Sequence, residues 1–496
     1  MSLQYFFDNI AMLRSELVIA VVFTAVVFVD LLASKKTALK LVPVISLVGI
    51  IAAAIYLLTG FYQTAGLDSV GLKDYLTVEP LTNYFKLLIL FGSTFIVVFS
   101  MYSDEIQAIS ERHGEYYSLL LATLFGMLLM VSANDYIVLY ISIELVSLTS
   151  YVLAGSMKTD PKSSEASLKY LLYGASASGI MLFGISILYG LVGSTSISDS
   201  YTYFSDITKF SITNFVVMFF ILVGIGYKIS SVPFHFWTPD VYEGSPTVIT
   251  AMLSVTSKAA GFMVLIRFIV EVFRVDVTSN GFWTMLEQYR WEQIFTVLAI
   301  ASMSIGNFAA LRQKSVKRML AYSSIAHIGY MLSAMAVLSD SGLLSILYYF
   351  FFYYLMNLGA FVAVVYVVNK TGSDSIESFN GIGYKMPLLG VALTIFLVSL
   401  TGLPPTAGFI GKFYIVMAML EAKMIPLTIV FLLNSVVALY YYIRVVRHMF
   451  LMRSDDSKKY TLTVPENGIL LLFSVPVVIF GIYFTPIVEF IKSTLK

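Results

Sequence analysis

The sequence predicts an all-α polytopic membrane protein with about fourteen transmembrane helices. Of its 496 residues, 58% are hydrophobic and 12% are charged, and the mean hydropathy is +0.85. A soluble protein of this size would carry about 25% charged residues. Apolar runs of roughly 20 residues, the length that crosses a bilayer as a helix, recur along the whole chain. Two runs are longer than one crossing and contain prolines, which predicts two discontinuous helices.

The apolar runs define the predicted helices, which we number in chain order. They cover residues 16–33, 41–59, 80–101, 115–132, 135–155, 165–192, 212–239, 246–271, 293–311, 318–338, 342–369, 387–421, 426–450 and 466–491. No stretch between them is long enough or polar enough for a soluble domain. We therefore expect a single membrane domain over residues 1–496. Its parts are the first three helices (1–110), a first repeat (115–271), a second repeat (293–450) and a C-terminal helix (466–491).

The two discontinuous helices indicate an internal repeat. Pro233 interrupts helix 7, and Pro404 with Pro405 interrupts helix 12. Each is the fourth member of a group of five, helices 4–8 and helices 9–13. Groups with an odd number of helices enter the membrane from opposite sides, so the two groups form inverted repeats. In transporters of this kind the site lies near mid-membrane at the broken helices.

Charged loops predict the orientation in the membrane. Lysine and arginine are more frequent in the loops that follow odd-numbered helices, such as the segment with Arg312, Lys314, Lys317 and Arg318. Basic loops stay on the cytoplasmic side. Both termini are therefore expected on the outer, periplasmic side.

Composition excludes several kinds of site. The chain has no cysteine, which excludes cysteine-held iron–sulfur clusters and disulfides within it. Of the four histidines, His113 and His448 lie in charged, loop-like segments, which disfavours a haem held by two buried histidines; the role of His235 stays open. No strand is followed by a glycine-rich phosphate loop, so no nucleotide site is expected. A net charge of +1 gives no argument for nucleic acid.

Five ionisable residues lie inside predicted helices, far from either end: Glu144, Lys228, Lys258, His327 and Lys412. A charge at such depth costs several kcal/mol unless a partner or water relieves it. One such residue is often a structural tie between helices. Five of them on five different helices weaken that interpretation, because serine and threonine tie helices at lower cost.

The chemistry of these residues suggests a proton relay. Burial disfavours the charged form of a lysine, so a buried lysine can take up and release a proton, whereas a nearby carboxylate favours the ammonium. A small change in the Glu144–Lys228 separation would therefore act as a switch. The hypothesis is that Glu144 modulates Lys228 and that Lys258, His327 and Lys412 pass the proton on.

Other polar residues have simpler interpretations. Lys169, at the start of helix 6, is expected to extend to the membrane interface, and Arg267 is expected to be an anchor at the outer end of helix 8. The aromatic stretch Tyr348 to Tyr354 is expected to pack or to contact lipid. Asp240 and Glu243, after the break in helix 7, either gather protons or solvate a loop.

Three long motifs carry a resemblance to a known family. They are VPFHFWTPDVYEGSPTVITAMLSVTSK (232–258), KRMLAYSSIAHIGYML (317–332) and LTGLPPTAGFIGKF (400–413). The chain resembles the antiporter-like membrane-arm subunits of respiratory complex I, relatives of the Mrp antiporter subunits, from helix 2 through helix 13. WTPDVYEG and the lysine at 412 are similar to the subunit N branch, the homologue of mitochondrial subunit 2. In the L, M and Mrp branches PDAHAEAP is typical at that place.

The resemblance implies the residues of a central hydrophilic axis. Glu144 matches the glutamate of helix 5, Lys228 the lysine of helix 7 and Lys258 the lysine of helix 8. His327 matches the histidine of helix 10, and Lys412 the lysine of helix 12.

The resemblance also implies partners and a location. The partners are the lipid bilayer, neighbouring antiporter-like and small membrane-arm subunits, and a peripheral arm. FMN, iron–sulfur clusters, NADH and quinone belong to those partner subunits, so this chain would bind no cofactor and hold no redox centre. The location would be the bacterial inner membrane.

Three functions follow. The leading hypothesis is a proton-translocating subunit of an NADH-quinone oxidoreductase, which is part of an enzyme although the electron transfer takes place in other subunits. The first alternative is a cation/proton antiporter subunit of an Mrp or hydrogenase-type complex. The second, of another class, is a membrane scaffold without transport of its own.

Overall fold

The computed structural model of the protein describes residues 13–61, 75–109, 112–453 and 460–493. Within these ranges, twelve helices are long and apolar enough to cross a membrane. A polar helix and a broken helix complete the predicted set. The helices are α1 (Arg14–Leu32), α2 (Lys35–Thr59), α3 (Pro80–Met101), α4 (His113–Ser132), α5 (Tyr136–Ala154), α6 (Pro161–Val192), α7a (Ile212–Ile229), α7b (Trp237–Gly244), α8 (Thr247–Phe273), α9 (Trp291–Ala310), α10 (Val316–Ala336), α11 (Asp340–Thr371), α12a (Pro387–Thr401), α12b (Ala407–Glu421), α13 (Ile425–Leu451) and α14 (Val464–Ile482).

Local sequence signals explain where several helices begin. The side chains of Asp135, Asp160, Ser315 and Ser339 accept hydrogen bonds from main-chain N–H groups in the first turns of α5, α6, α10 and α11. These caps satisfy donors that have no partner inside the helix. At α14, Thr463 and Glu466 form a reciprocal capping box.

Two helices form the centre of the bundle. The most apolar window of α8 is entirely buried, and that of α11 is 89% buried. By contrast, α1, α6 and α14 bury 28% of theirs and lie at the periphery. The buried charges of the chain are therefore arranged around α8 and α11.

The structure confirms the fold class and both helix breaks. Ser230 ends α7a in the left-handed region, with φ of 62°, and Gly402 ends α12a with φ of 86°. After the first break, the N–H of Val232 donates to Ser302 Oγ on α9 at 3.0 Å. Cis peptide bonds occur at Val232–Pro233 and Pro404–Pro405.

Several boundaries differ from the prediction. The helix predicted over 212–239 stops at Ile229, and a separate short helix, α7b, carries the residues expected in a loop. The helix predicted over 466–491 is two helices, α14 and Thr485–Ser493. An unpredicted antiparallel hairpin joins β1 (Arg274–Val277) to β2 (Trp283–Met285).

Short helices lie in the connections, and two histidines were placed wrongly. The short helices are Asp104–Gln107, Ser200–Ser205 and Ile382–Lys385. His113 is the first residue of α4, and His448 lies in the last turn of α13, so neither is in a loop. The predicted parts 1–110 and 1–496 include residues 1–12, 62–74, 110–111, 454–459 and 494–496, which lie outside the described residues.

Candidate functional site

Lys228 lies at the end of a half helix. It is in the last turn of α7a and is 2% exposed. The free carbonyls at a helix C-terminus carry partial negative charge, which favours an ammonium group there. Its Nζ donates to Ser147 Oγ on α5 at 3.2 Å. Lys228 is therefore held between the end of its own helix and the hydroxyl of a neighbour.

Glu144 lies one turn before Ser147 on α5. Its carboxylate acts electrostatically on Lys228, yet no ion pair within 4.0 Å joins the two among the described residues. Glu144 Oε1 is buried and has no hydrogen-bond partner in the structure. The expected partnership is thus electrostatic, with Ser147 as the direct contact.

Lys258 is fully buried at the centre of α8. Its Nζ donates to Ser324 Oγ on α10 at 2.7 Å and lies 5.7 Å from the ring centroid of Tyr242. Gly261, one turn further along α8, faces α7a. A Cβ there would lie 3.3 Å from Lys228 Cγ, so this glycine brings the two lysine-bearing helices together.

His327 lies one turn after Ser324 on α10. Its Nδ1 is 2.5 Å from the Tyr349 hydroxyl on α11, and its Nε2 is 3.2 Å from the Tyr442 hydroxyl on α13. Donor and acceptor roles follow the tautomer of the ring. Both Lys258 and Lys412 act electrostatically on this imidazole. His327 therefore lies between the two lysines, with a phenol on each ring nitrogen.

Lys412 occupies the second break. Its Nζ donates to the main-chain carbonyl of Thr401 at 2.9 Å and to Ser435 Oγ at 3.2 Å, and it lies 4.2 Å from the ring centroid of Tyr330. Thr401 is the last residue of α12a, so the ammonium group again meets the negative end of a half helix. A Cβ at Gly402 would lie 2.7 Å from Lys412 Cδ, which leaves room only for glycine.

The structure thus connects the five predicted residues through hydroxyls that sequence reasoning missed. Ser147, Ser324 and Tyr330 had a usable signal, because each is three residues from Glu144 or His327 on the same helix face. Tyr349 and Tyr442 come from distant helices and had none. The prediction for Tyr348 to Tyr354 is wrong about lipid contact, since its tyrosines are buried and Tyr349 bonds His327.

Two cations form ion pairs that were not expected. Lys169 does not simply extend to the interface, because its Nζ pairs with Asp240 at 2.6 Å and with Glu165 at 2.7 Å. Arg267 is 5% exposed and is more than an interfacial anchor. It donates to the carbonyls of residues 131 and 133 and pairs with Glu79 at 3.2 Å.

Asp240 and His235 flank the start of α7b, which lies outside the helices long enough to cross a membrane. Partial burial raises the pKa of the Asp240 carboxyl, but hydrogen bonds from Lys169 and Arg318 outweigh it, so the pKa lies below its ordinary value. His235 is buried, and its Nδ1 has no hydrogen-bond partner. Within the described ranges, no three His, Asp or Glu side chains are grouped so that they could hold a metal ion.

Comparison with known proteins identifies the family. The family model for the transmembrane part of NADH:quinone oxidoreductase and Mrp antiporter proteins matches residues 133–438, which include all five buried ionisable residues. The chain therefore belongs to the NADH:quinone oxidoreductase/Mrp antiporter family.

Relatives place the chain in one branch of that family, the subunit N group. NADH-quinone oxidoreductase subunit N 2 of Chloroherpeton thalassium is 41% identical over 488 residues, which cover 97% of this chain and 93% of the relative. NADH-quinone oxidoreductase subunit N of Chlorobium chlorochromatii is 38% identical over 489 residues, covering 96% and 93%. A chain of respiratory complex I from Thermus thermophilus with bound aureothin has a TM-score of 0.77 at 27% identity, over 96% of this chain and 98% of that one.

Proposed function

We propose that this chain is a proton-translocating membrane-arm subunit of an NADH-quinone oxidoreductase. The observation that carries the proposal is the row of buried ionisable groups on both half-helix breaks and on the helices between them. Electron transfer takes place in other subunits, which hold FMN, iron–sulfur clusters and the quinone site. The contribution of this chain is a path for protons that responds to events elsewhere in the complex.

The path begins at Glu144 and Lys228. Because their interaction is electrostatic and not a closed ion pair, a small movement of the carboxylate changes how well the ammonium form of Lys228 is stabilised. Movement toward Lys228 favours proton uptake, and movement away favours release. The Ser147 hydroxyl holds the amine in place in both states, since a hydroxyl can donate as well as accept.

Onward transfer uses groups that exchange donor and acceptor roles. Lys258 reaches Ser324, and His327 one turn further on contacts Tyr349 and Tyr442. The imidazole can receive a proton on one nitrogen and release one from the other. Electrostatic repulsion from Lys258 and Lys412 prevents the imidazolium from persisting, so the proton passes on to a lysine. Lys412, at the second break, is the exit group of this path.

The proposal includes the setting of the chain. It lies in the bacterial inner membrane with both termini on the periplasmic side. It forms one membrane domain with inverted repeats over 115–271 and 293–450, and it assembles with neighbouring antiporter-like and small membrane-arm subunits and with the peripheral arm.

The test is NADH-driven proton uptake by the intact complex in sealed liposomes. We expect Lys258→Met to abolish or strongly reduce proton uptake, while Lys314→Met, an exposed lysine outside the path, leaves it unchanged. A scaffold would retain full proton uptake in an assembled Lys258→Met complex, and that result would overturn the proposal. An antiporter function would instead appear as proton movement driven by a sodium gradient without NADH.

A further inference from the structure

The short helix α7b is held by charged side chains, which we call the α7b latch: Lys169, Asp240, Glu243 and Arg318. Arg318 Nη1 donates to Asp240 at 2.6 Å and to Glu243 at 2.9 Å, and Lys169 Nζ reaches the other oxygen of Asp240 at 2.6 Å. The side chains of Arg318 and Asp240 are each 29% exposed, so solvent screens these pairs only in part.

The latch joins the two five-helix groups. Lys169 belongs to α6 in the first group, and Arg318 belongs to the first turn of α10 in the second. The neighbouring Lys317 is buried and donates from Nζ to the Ser245 carbonyl, directly after α7b, at 2.6 Å. Charged groups of both repeats therefore fix the segment between the first break and α8.

The same short helix contacts both lysine-bearing helices of the first group. Trp237 Nε1 donates to the carbonyl of Tyr227, the residue before Lys228, at 3.0 Å. At the other end, the ring of Tyr242 faces Lys258 Nζ at 5.7 Å, and the Tyr242 carbonyl accepts from Thr250 on α8 at 2.9 Å. Any displacement of α7b therefore moves a contact of each lysine.

We propose that Arg318 is a positioning residue for proton translocation: through Asp240 and Glu243 it sets where α7b lies and thereby fixes the surroundings of Lys228 and Lys258. This inference rests on the proposed function of the chain. Asp240 and Glu243 are three residues apart on one helix face, so a single guanidinium nitrogen can bind both carboxylates. Without Arg318, Asp240 retains Lys169, so α7b stays tied to the first repeat only.

The experiment compares variants of the intact complex in liposomes and measures protons taken up per NADH oxidised. In Arg318→Gln we expect this ratio to fall several-fold while uncoupled NADH–quinone turnover is retained. Arg318→Lys, which keeps a cation at the position, recovers part of the ratio. Lys314→Gln, an exposed cation two residues before the start of the same helix, gives the wild-type ratio. A merely structural role would lower the thermal midpoint or the yield of complex and leave the ratio unchanged.

Two further variants keep the test decisive. If Arg318→Gln does not assemble, Arg318→Lys and Glu243→Gln replace it, and a wild-type ratio in both overturns the inference. Lys258→Met is measured alongside. If Lys258→Met lowers the ratio and Arg318→Gln does not, only the positioning role is wrong; if neither lowers it, the proposed function itself fails.

Discussion

Replacing Gly261 with alanine tests how closely the two lysine-bearing helices must approach each other. Gly261 lies on α8, one turn after Lys258, and faces α7a. A Cβ at this position would lie 2.8 Å from Ile229 Cγ2 and 3.3 Å from Lys228 Cγ. Ile229 is β-branched and cannot turn its methyl group aside at low cost. The helices must therefore separate.

The size of the effect follows from these distances. Ordinary carbon–carbon contacts begin at about 3.4 Å, so the added methyl group requires a separation of roughly 0.6 Å or more. Overpacking of this kind typically costs about 1–3 kcal/mol of stability. The Lys228–Ser147 hydrogen bond is already 3.2 Å long, so the same movement breaks it. Misplacement of a reacting group by about 1 Å can cost about 100-fold in rate, and we expect proton uptake to fall by about 10- to 100-fold.

The assay is proton uptake by the reconstituted complex, together with its thermal midpoint. Gly190→Ala is the matched control, because Gly190 lies on α6 and a Cβ there meets nothing within 4 Å. That control should be neutral or slightly stabilising, since alanine favours a helix over glycine by about 1 kcal/mol. If Gly261→Ala pumps protons as well as Gly190→Ala, the close approach of α7a and α8 has no functional role and the reasoning is refuted.

Three other substitutions test separate features. Glu16→Gln leaves Lys86 as an unpaired charge where the pair is now 2.7 Å apart and 1–2% exposed, so the free energy of unfolding should fall by about 3–5 kcal/mol, and adding Lys86→Met should restore the thermal midpoint. Tyr442→Phe removes a hydroxyl from the imidazole of the path and should slow proton uptake, whereas Tyr440→Phe, on the exposed side of the same helix, should not; equal rates would contradict the role of the phenol. The lowered pKa of Asp240 stabilises the folded state above its unfolded pKa, and this contribution is lost as the pH falls below about 4. Asp240→Asn should therefore flatten the fall of the thermal midpoint in acid, and an unchanged acid profile would show that the ion pairs add no stability.

The helix framework was predictable because bilayer thickness imposes a repeated apolar length on the chain. The two breaks were predictable because proline removes a main-chain donor and has a fixed φ. The hairpin after α8 was not, since its strands are only four and three residues long and carry no clear alternation. The division of the C-terminal helix was missed because its apolar run continues through the turn at 483–484.

The candidate site was predictable in its charges and not in its contacts. A lysine or glutamate inside an apolar run is visible in sequence because it is costly there. The hydroxyls of Tyr349 and Tyr442 are not visible, because tyrosine is common in these helices and only the packing of α10, α11 and α13 selects two of them. The sequence also suggested a direct Glu144–Lys228 partnership, whereas Ser147 makes the contact.

The two breaks differ in what natural variation can change. The first lysine is bonded to a serine side chain, so a substitution on α5 can strengthen, weaken or abolish that bond. The second is bonded to the main-chain carbonyl of Thr401, which every amino acid supplies. Its acceptor is inherited with the path of the backbone, and only a change at Gly402 or in the length of the turn can move it. Proton affinity at the first break can therefore drift between species by single substitutions, while the second break keeps its acceptor as long as the fold itself persists.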